Sequence, residues 1–190
     1  MGTNAGSLKL TVDSIPGMPV SLRPWNNSDV HSLMKYANNK AIADNLRDAF
    51  PYPYTQKDAL RFLEMAVSSD PHILILAIDS KGEAIGSVGA TPKEDVYRKN
   101  VEIGYWLARP FWGRGIITEV IRTFISHLWI TYDIHRIYAE PFANNLASRK
   151  ALEKAGFSCE AVFKENIIKN GNYHDSCIYS MLREGLTHAG

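Results

Sequence analysis

The run Trp106-Leu-Ala-Arg-Pro-Phe-Trp-Gly-Arg-Gly-Ile-Ile-Thr-Glu119 joins an alternating strand to an amphipathic helix through a loop that holds two glycines. Upstream, Val101, Ile103, Tyr105 and Leu107 share one face of an extended chain, and Glu102, Gly104 and Trp106 share the other. Downstream, Ile117, Val120, Ile121, Phe124, Ile125 and Leu128 recur at helical spacing and form one apolar stripe. This is the architecture of an anion site. The first turn of a helix offers unpaired amide hydrogens and the positive end of a dipole, and Gly113 and Gly115 lack the β-carbons that keep a phosphate at a distance. The spacing fits neither G-x-x-x-x-G-K-[ST] nor G-x-G-x-x-G, because nothing after Gly115 supplies the Lys or the third Gly. Taken alone, the segment is also compatible with a tight turn that binds nothing.

A second stretch, Asn144-Asn145-Leu-Ala-Ser148-Arg-Lys-Ala-Leu-Glu-Lys-Ala-Gly156-Phe157, reads as a short helix with an Asn N-cap, a glycine just past its end and a stripe of Ala147, Ala151, Leu152 and Ala155. The pair Gly-Arg-Gly-Ile-x-Thr-Glu and Asn-x-x-Ser-x-x-x-Leu-Glu-Lys-x-Gly-Phe, in this order, closely resembles the GNAT superfamily of acyl-CoA N-acyltransferases, in particular its RimJ/RimL-type branch. The resemblance runs from about Val20 to Arg183. It implies a single-domain α/β fold, a mixed, mostly antiparallel sheet splayed at the cofactor site with helices on both faces. It implies acetyl-CoA as cofactor, its pyrophosphate on the amides from Pro110 to Gly115 and of Ile116 and Thr118. Arg109 and Arg114 flank that loop, Asn145 would bond the pantetheine arm, and Trp106, Leu107 and Trp112 would wall the site, with a β-bulge near Leu107 splaying the strands. Two departures stand out. Pro110 replaces the usual Gln or Arg that opens the glycine motif, and Leu152 stands where many members carry a Tyr acid.

Transfer of an acetyl group to an amine requires removal of a proton from the amine, polarisation of the thioester carbonyl and stabilisation of the thiolate. Glu102, on the strand entering the glycine loop, is the candidate base; a solvated or Arg-paired Glu is the plainer alternative. His174 and Asp175 are reserve candidates, with a fold-holding role open for Asp175. Ser148 is the candidate acid through the resemblance, with a role as local cap partner equally open. The segment from Asn45 to Tyr54, with Arg47, Tyr52 and Tyr54, and the last hairpin, with Asp175, are expected to shape the acceptor site. The resemblance points to the α-amine of a protein or peptide, including a ribosomal protein. A small amine such as a polyamine, amino acid or aminoglycoside is the alternative, and a non-catalytic acyl-CoA sensor a third reading. No metal site is assigned.

Composition fits one ordinary globular domain: 190 residues, 45% hydrophobic, 22% charged, net charge +1. That charge gives no basis for bulk attraction to nucleic acid or membrane. No apolar run spans a bilayer and the N-terminus lacks a leader-like pattern, so a cytoplasmic monomer or homodimer is expected. We divide the chain into an N-terminal extension (1–17, ordered in part), an N-acetyltransferase domain (18–185) and a tail (186–190). Expected elements are a strand near Val20 to Arg23, helices across Val30 to Arg47, and a Thr55-capped helix to about Val67. A hairpin of Ile73 to Ile78 and Ala84 to Ala90 turns at Lys81-Gly82, a strand spans Ile134 to Glu140, and a last hairpin turns at Asn170-Gly171. A two-residue turn there sets Cys177 opposite Lys164 and leaves Cys159 five positions further on, on the order of 17 Å away and beyond disulfide reach. Both thiols are expected to be free and half-buried.

Overall fold

The structure, a computed structural model, describes residues 8–13, 15–67 and 74–183; the expected strand start at Ile73 and the 186–190 tail lie outside them. Antiparallel strands β1 (Leu10–Val12), β2 (Val20–Pro24), β3 (Leu74–Ser80), β4 (Glu83–Pro92) and β5 (Asn100–Leu107) follow one another across one sheet. The sheet continues with β6 (Arg136–Ala139), β8 (Asn172–Leu182) and, at the far edge, β7 (Ser158–Lys169). Among the described residues, only β5 and β6 run parallel, over Asn100↔Arg136, Val101↔Ile137 and Glu102↔Tyr138.

Helices cover both faces. On one lie α1 (Val30–Ala37), α2 (Lys40–Ala43) and α3 (Gln56–Val67), whose Leu33, Ile42 and Leu63 pack with Trp25, Ala77 and Trp106. On the other lie α4 (Ile116–Thr131) and α5 (Leu146–Ala155), whose Val120, Ile121, Phe124, Leu128 and Leu152 pack on Leu22, Ile78, Val88 and Ile103. The alternation of β5 explains this division, since Ile103 and Leu107 enter the α4 core while Trp106 enters the other. The helices expected across Val30 to Arg47 are α1 and the short α2, separated where the Asn39 side chain accepts from the Ala41 amide and caps a fresh start. Thr55 and Asp58 exchange capping bonds at the start of α3.

Three expectations are corrected. β4 and β5 stay in register from Pro92↔Val101 to Gly86↔Leu107, so no bulge lies near Leu107. The divergence from β6 begins where the parallel pairing stops, after Glu102↔Tyr138. The last hairpin turns at Asn170-Gly171 as expected, pairing Lys169 with Asn172, but register shifts in β7 set Cys177 opposite Val162 rather than Lys164. Both thiols are free, Cys177 fully buried and Cys159 exposed. β1, inside the N-terminal extension, was not anticipated; three residues carry too short an alternation to stand out.

Beneath α1, Arg23 forks onto Asp29 at 2.8 and 2.8 Å and donates through Nε to Asp79 at 2.9 Å, tying β2, β3 and the start of α1 together. Asp29 is buried, so removing the guanidinium strands a carboxylate. Arg23→Met is expected to lower the denaturant-derived stability by about 2–3 kcal/mol, somewhat less than the cost of breaking a fully buried pair.

Candidate active site

Past Glu102↔Tyr138 the two parallel strands separate. The Ala108 amide bonds the Ile85 carbonyl at 2.8 Å, so the antiparallel alternation turns the backbone of Glu102, Gly104 and Trp106 to β4 and that of Ile103, Tyr105 and Leu107 into the opening. The indole of Trp112 takes the Leu107 carbonyl at 2.7 Å. Across the opening stands the start of α5, where Asn145 Oδ1 accepts from the Ser148 amide at 3.1 Å. Its Nδ2 has no partner among the described residues. Tyr105 Oη lies 2.9 Å from Ser148 Oγ and bridges the two elements. Burial pushes the Tyr105 hydroxyl well above its ordinary pKa, against the effect of the Ser148 bond, so it keeps its proton far into the alkaline range.

At the mouth of this opening, Gly113 and Gly115 have φ of 75° and 76°, and a β-carbon at either meets no atom within 4 Å. The positive φ turns the loop into the N-terminus of α4. The amides of Gly113, Arg114, Gly115, Ile116 and Ile117 have no partner among the described residues. Arg109 and Arg114 are exposed there without ion pairs among those residues. An open set of unpaired amides at a helix N-terminus, rimmed by two arginines, fits a diphosphate.

The opposite face of β5 is covered by the segment after α2. Arg47 reaches down to one oxygen of Glu102, Lys93 Nζ holds the other at 2.7 Å, and Tyr138 Oη donates to it at 3.3 Å. Phe50 packs on Trp106 with centroids 5.7 Å apart. Between these two covers Gly104 is exposed and a β-carbon on it would touch nothing, leaving a slot over the middle of β5. The tip of the last hairpin closes the side of this cover: Lys169 Nζ binds Asp48 at 2.8 Å and Asn170 Nδ2 binds Asp44 at 3.0 Å. The two segments expected to shape the acceptor site are thus joined.

The Acetyltransferase (GNAT) domain family matches residues 20–158. The chain belongs to the GNAT acetyltransferase family. It is 33% identical over 159 residues to the "Putative ribosomal N-acetyltransferase YdaF" of Bacillus subtilis (strain 168), covering 83% of this chain and 80% of that protein. Among solved structures, the Microcin C7 self immunity acetyltransferase MccE in complex with acetyl-CoA and AMP superposes with a TM-score of 0.77 at 25% identity, covering 86% of this chain and 92% of that one. Mycobacterium smegmatis RimJ in complex with CoA-disulfide gives a TM-score of 0.82 at 21% identity over 96% of this chain and 90% of that one. This chain is a GNAT N-acetyltransferase, and acetyl-CoA is its cofactor.

Leu107, Arg109, Trp112, Gly113, Arg114, Gly115, Ile116, Asn145 and Ser148 lie around the opening and the glycine loop, and Glu102 and Arg47 lie on the other face of β5. Tyr52 is exposed. Others are placed differently. The ring of Trp106 is buried against Phe50 on the α1–α3 face, away from the cofactor opening. Thr118 is buried, its amide already bonded to the Gly115 carbonyl at 3.1 Å. Tyr54 is 6% exposed and packs on Phe50, so it is core rather than contact surface. Asp175 accepts from Lys164 at 2.7 Å and from the Glu165 amide at 2.9 Å, pinning the irregular part of β7. His174 stacks on Phe142. Three residues were missed: Tyr105, Lys93 and Tyr138. Tyr105 left a trace, a hydroxyl on an otherwise apolar strand face, which needs a polar partner when buried.

Burial raises the pKa of Glu102, but the hydrogen bond from Lys93 and the charges of Arg47 and Lys93 outweigh it and the net shift is downward. A lowered carboxylate is ionised from below its ordinary range upward and does not titrate between pH 5 and 9. The acceptor amine therefore sets the acid limb. For a peptide acceptor, kcat/KM is expected to rise about tenfold per pH unit up to about pH 7.7–8.0 and then level, with no break near pH 5–6, in initial-rate profiles.

Proposed function

We propose that this enzyme acetylates the α-amine of a protein or peptide, of the kind met at ribosomal-protein N-termini, in the cytoplasm. The observation that carries this reading is the pair of sites on opposite faces of β5: Tyr105 and Ser148 beside the amide cradle on one, Glu102 over an open Gly104 floor on the other. Bound acetyl-CoA supplies an activated acetyl thioester and a thiol leaving group. The chain's residues divide the proton work between the faces. With Tyr105 as the donor in its 2.9 Å contact with Ser148 Oγ, the Ser148 hydroxyl hydrogen is free to bond the departing sulfur, helped by the positive end of α5. Glu102, held by Lys93 and Arg47, is too weak a base to take a proton from a protonated amine directly; it orients the amine and receives its proton through water after attack.

A clamped carboxylate suits an amine that is already neutral. An α-amine is about one-third neutral at pH 7.5, whereas a lysine side chain is neutral in about one molecule per 800. The names of relatives point the same way, since the Bacillus subtilis protein is described as a ribosomal N-acetyltransferase. The test is thiol release from acetyl-CoA with a panel of N-terminal Ala and Ser peptides, the same peptides blocked at the terminus, polyamines and free lysine. Turnover with unblocked peptides alone supports the reading. Turnover confined to polyamines or free lysine replaces it with a small-amine enzyme.

A further inference from the structure

Beside the Glu102 slot, on the same sheet face, lies a groove of about 420 Å³ lined by Lys93, Tyr97, Asn100, Arg136, Tyr138 and Ile178. It shares two walls with the acceptor slot, because Lys93 and Tyr138 both bond Glu102. The Tyr138 ring carries Lys93 Nζ at 5.6 Å and the Arg136 guanidinium at 5.9 Å from its centroid. No carboxylate belongs to the lining. Its polar groups are all able to donate: the Lys93 ammonium, the Arg136 guanidinium, the Asn100 amide and the Tyr97 hydroxyl, the last two without a partner among the described residues. Arg136 uses Nη1 and Nη2 on Glu160 and keeps further N–H groups. Lys93 is paired with Glu102 and Arg136 with Glu160, and Arg47 brings a second cation onto Glu102 from the slot side, so these two carboxylates face three cations.

We propose that this groove is a specificity subsite for a carboxylate carried on the second or third residue of the acceptor peptide. The inference rests on the α-amine reading above. Asn100 and Gly104 share a face of β5 four residues apart, roughly 13 Å at the usual strand rise, and Lys93 and Tyr138 lie between. An extended peptide whose amine enters over Gly104 advances about 3.3 Å per residue, so a Glu one or two residues along extends its side chain toward Lys93 and Arg136. The same positive surplus opposes a polyamine.

The experiment compares kcat/KM for N-terminal Ala peptides of equal length with Glu, Gln or Lys at the second or third position. Glu is expected to exceed Gln by about tenfold, and Lys to fall below Gln, as for one partly exposed charge-assisted bond. In Arg136→Met combined with Glu160→Gln, which leaves no carboxylate unpaired, the Glu-to-Gln ratio is expected to fall to near one. In Asn100→Asp the order should invert toward Lys. An acetyl-CoA-dependent rise in Tm certifies that each variant is folded. Equal rates for all three peptides in the wild type overturn the subsite while the α-amine reading stands. Failure of every unblocked peptide, with turnover of small amines, overturns that reading first and the subsite with it.

Discussion

Gly115→Val is expected to weaken acetyl-CoA binding by about 100-fold or more in calorimetry. The amides around Gly115 are unpaired and face open space, and a diphosphate on them gains charge-assisted hydrogen bonds worth roughly 1.5–3 kcal/mol each. A branched β-carbon stands in that space, and at φ 76° it also pulls the backbone away from the conformation that aims the amides; losing two bonds is on the order of 3 kcal/mol, or about 100-fold. Gly82→Val is the matched control. Gly82 has φ 86°, and a β-carbon on it likewise meets nothing, but it sits in the β3–β4 turn. It should show a similar drop in Tm, of the size of one strained residue, with acetyl-CoA affinity unchanged. Equal affinity in Gly115→Val would move the diphosphate elsewhere.

Ser148→Ala is expected to lower kcat by about 100-fold with acetyl-CoA affinity changed less than about threefold, the pattern of a donor used in the transition state. Tyr105→Phe is expected to lower kcat by about tenfold, because the Ser148 hydroxyl stays but is no longer oriented by a donor behind it. The Asn145 cap uses the Ser148 amide, which both variants keep, so α5 remains anchored. Unchanged kcat in both would leave Ser148 as a helix-start residue. Acting through one hydrogen bond, the two substitutions together should cost little more than Ser148→Ala alone.

Much of this site follows from local pattern. The α4 stripe, the two positive-φ glycines before it and the Asn145 cap each involve residues within one or two turns, where side-chain periodicity reports directly on the fold. The parts that were not visible depend on distant partners. An arginine partner for Glu102 is conceivable from sequence, but nothing local singles out Arg47, 55 residues earlier. Tyr105 and Ser148 are 43 residues apart, and nothing local to either predicts the bond. The register of β7 escaped for a related reason. The Asn170-Gly171 turn fixes pairing near the tip, but bulges at Cys159/Ala161 and Phe163/Ile167, the second held by Asp175, shift everything beyond. Trp106 was assigned to the cofactor by its place in the motif, whereas strand alternation had already put it on the other face.

The central claim is transfer of an acetyl group to an α-amine across β5. Tandem mass spectrometry of a peptide bearing both a free N-terminal Ala and an internal Lys, incubated with the enzyme and acetyl-CoA at pH 7.5, tests it most directly. The predicted result is a single acetyl group on the N-terminal residue and none on the lysine. Acetylation chiefly on the lysine side chain, or an unmodified peptide in a mixture where a polyamine is consumed, contradicts it.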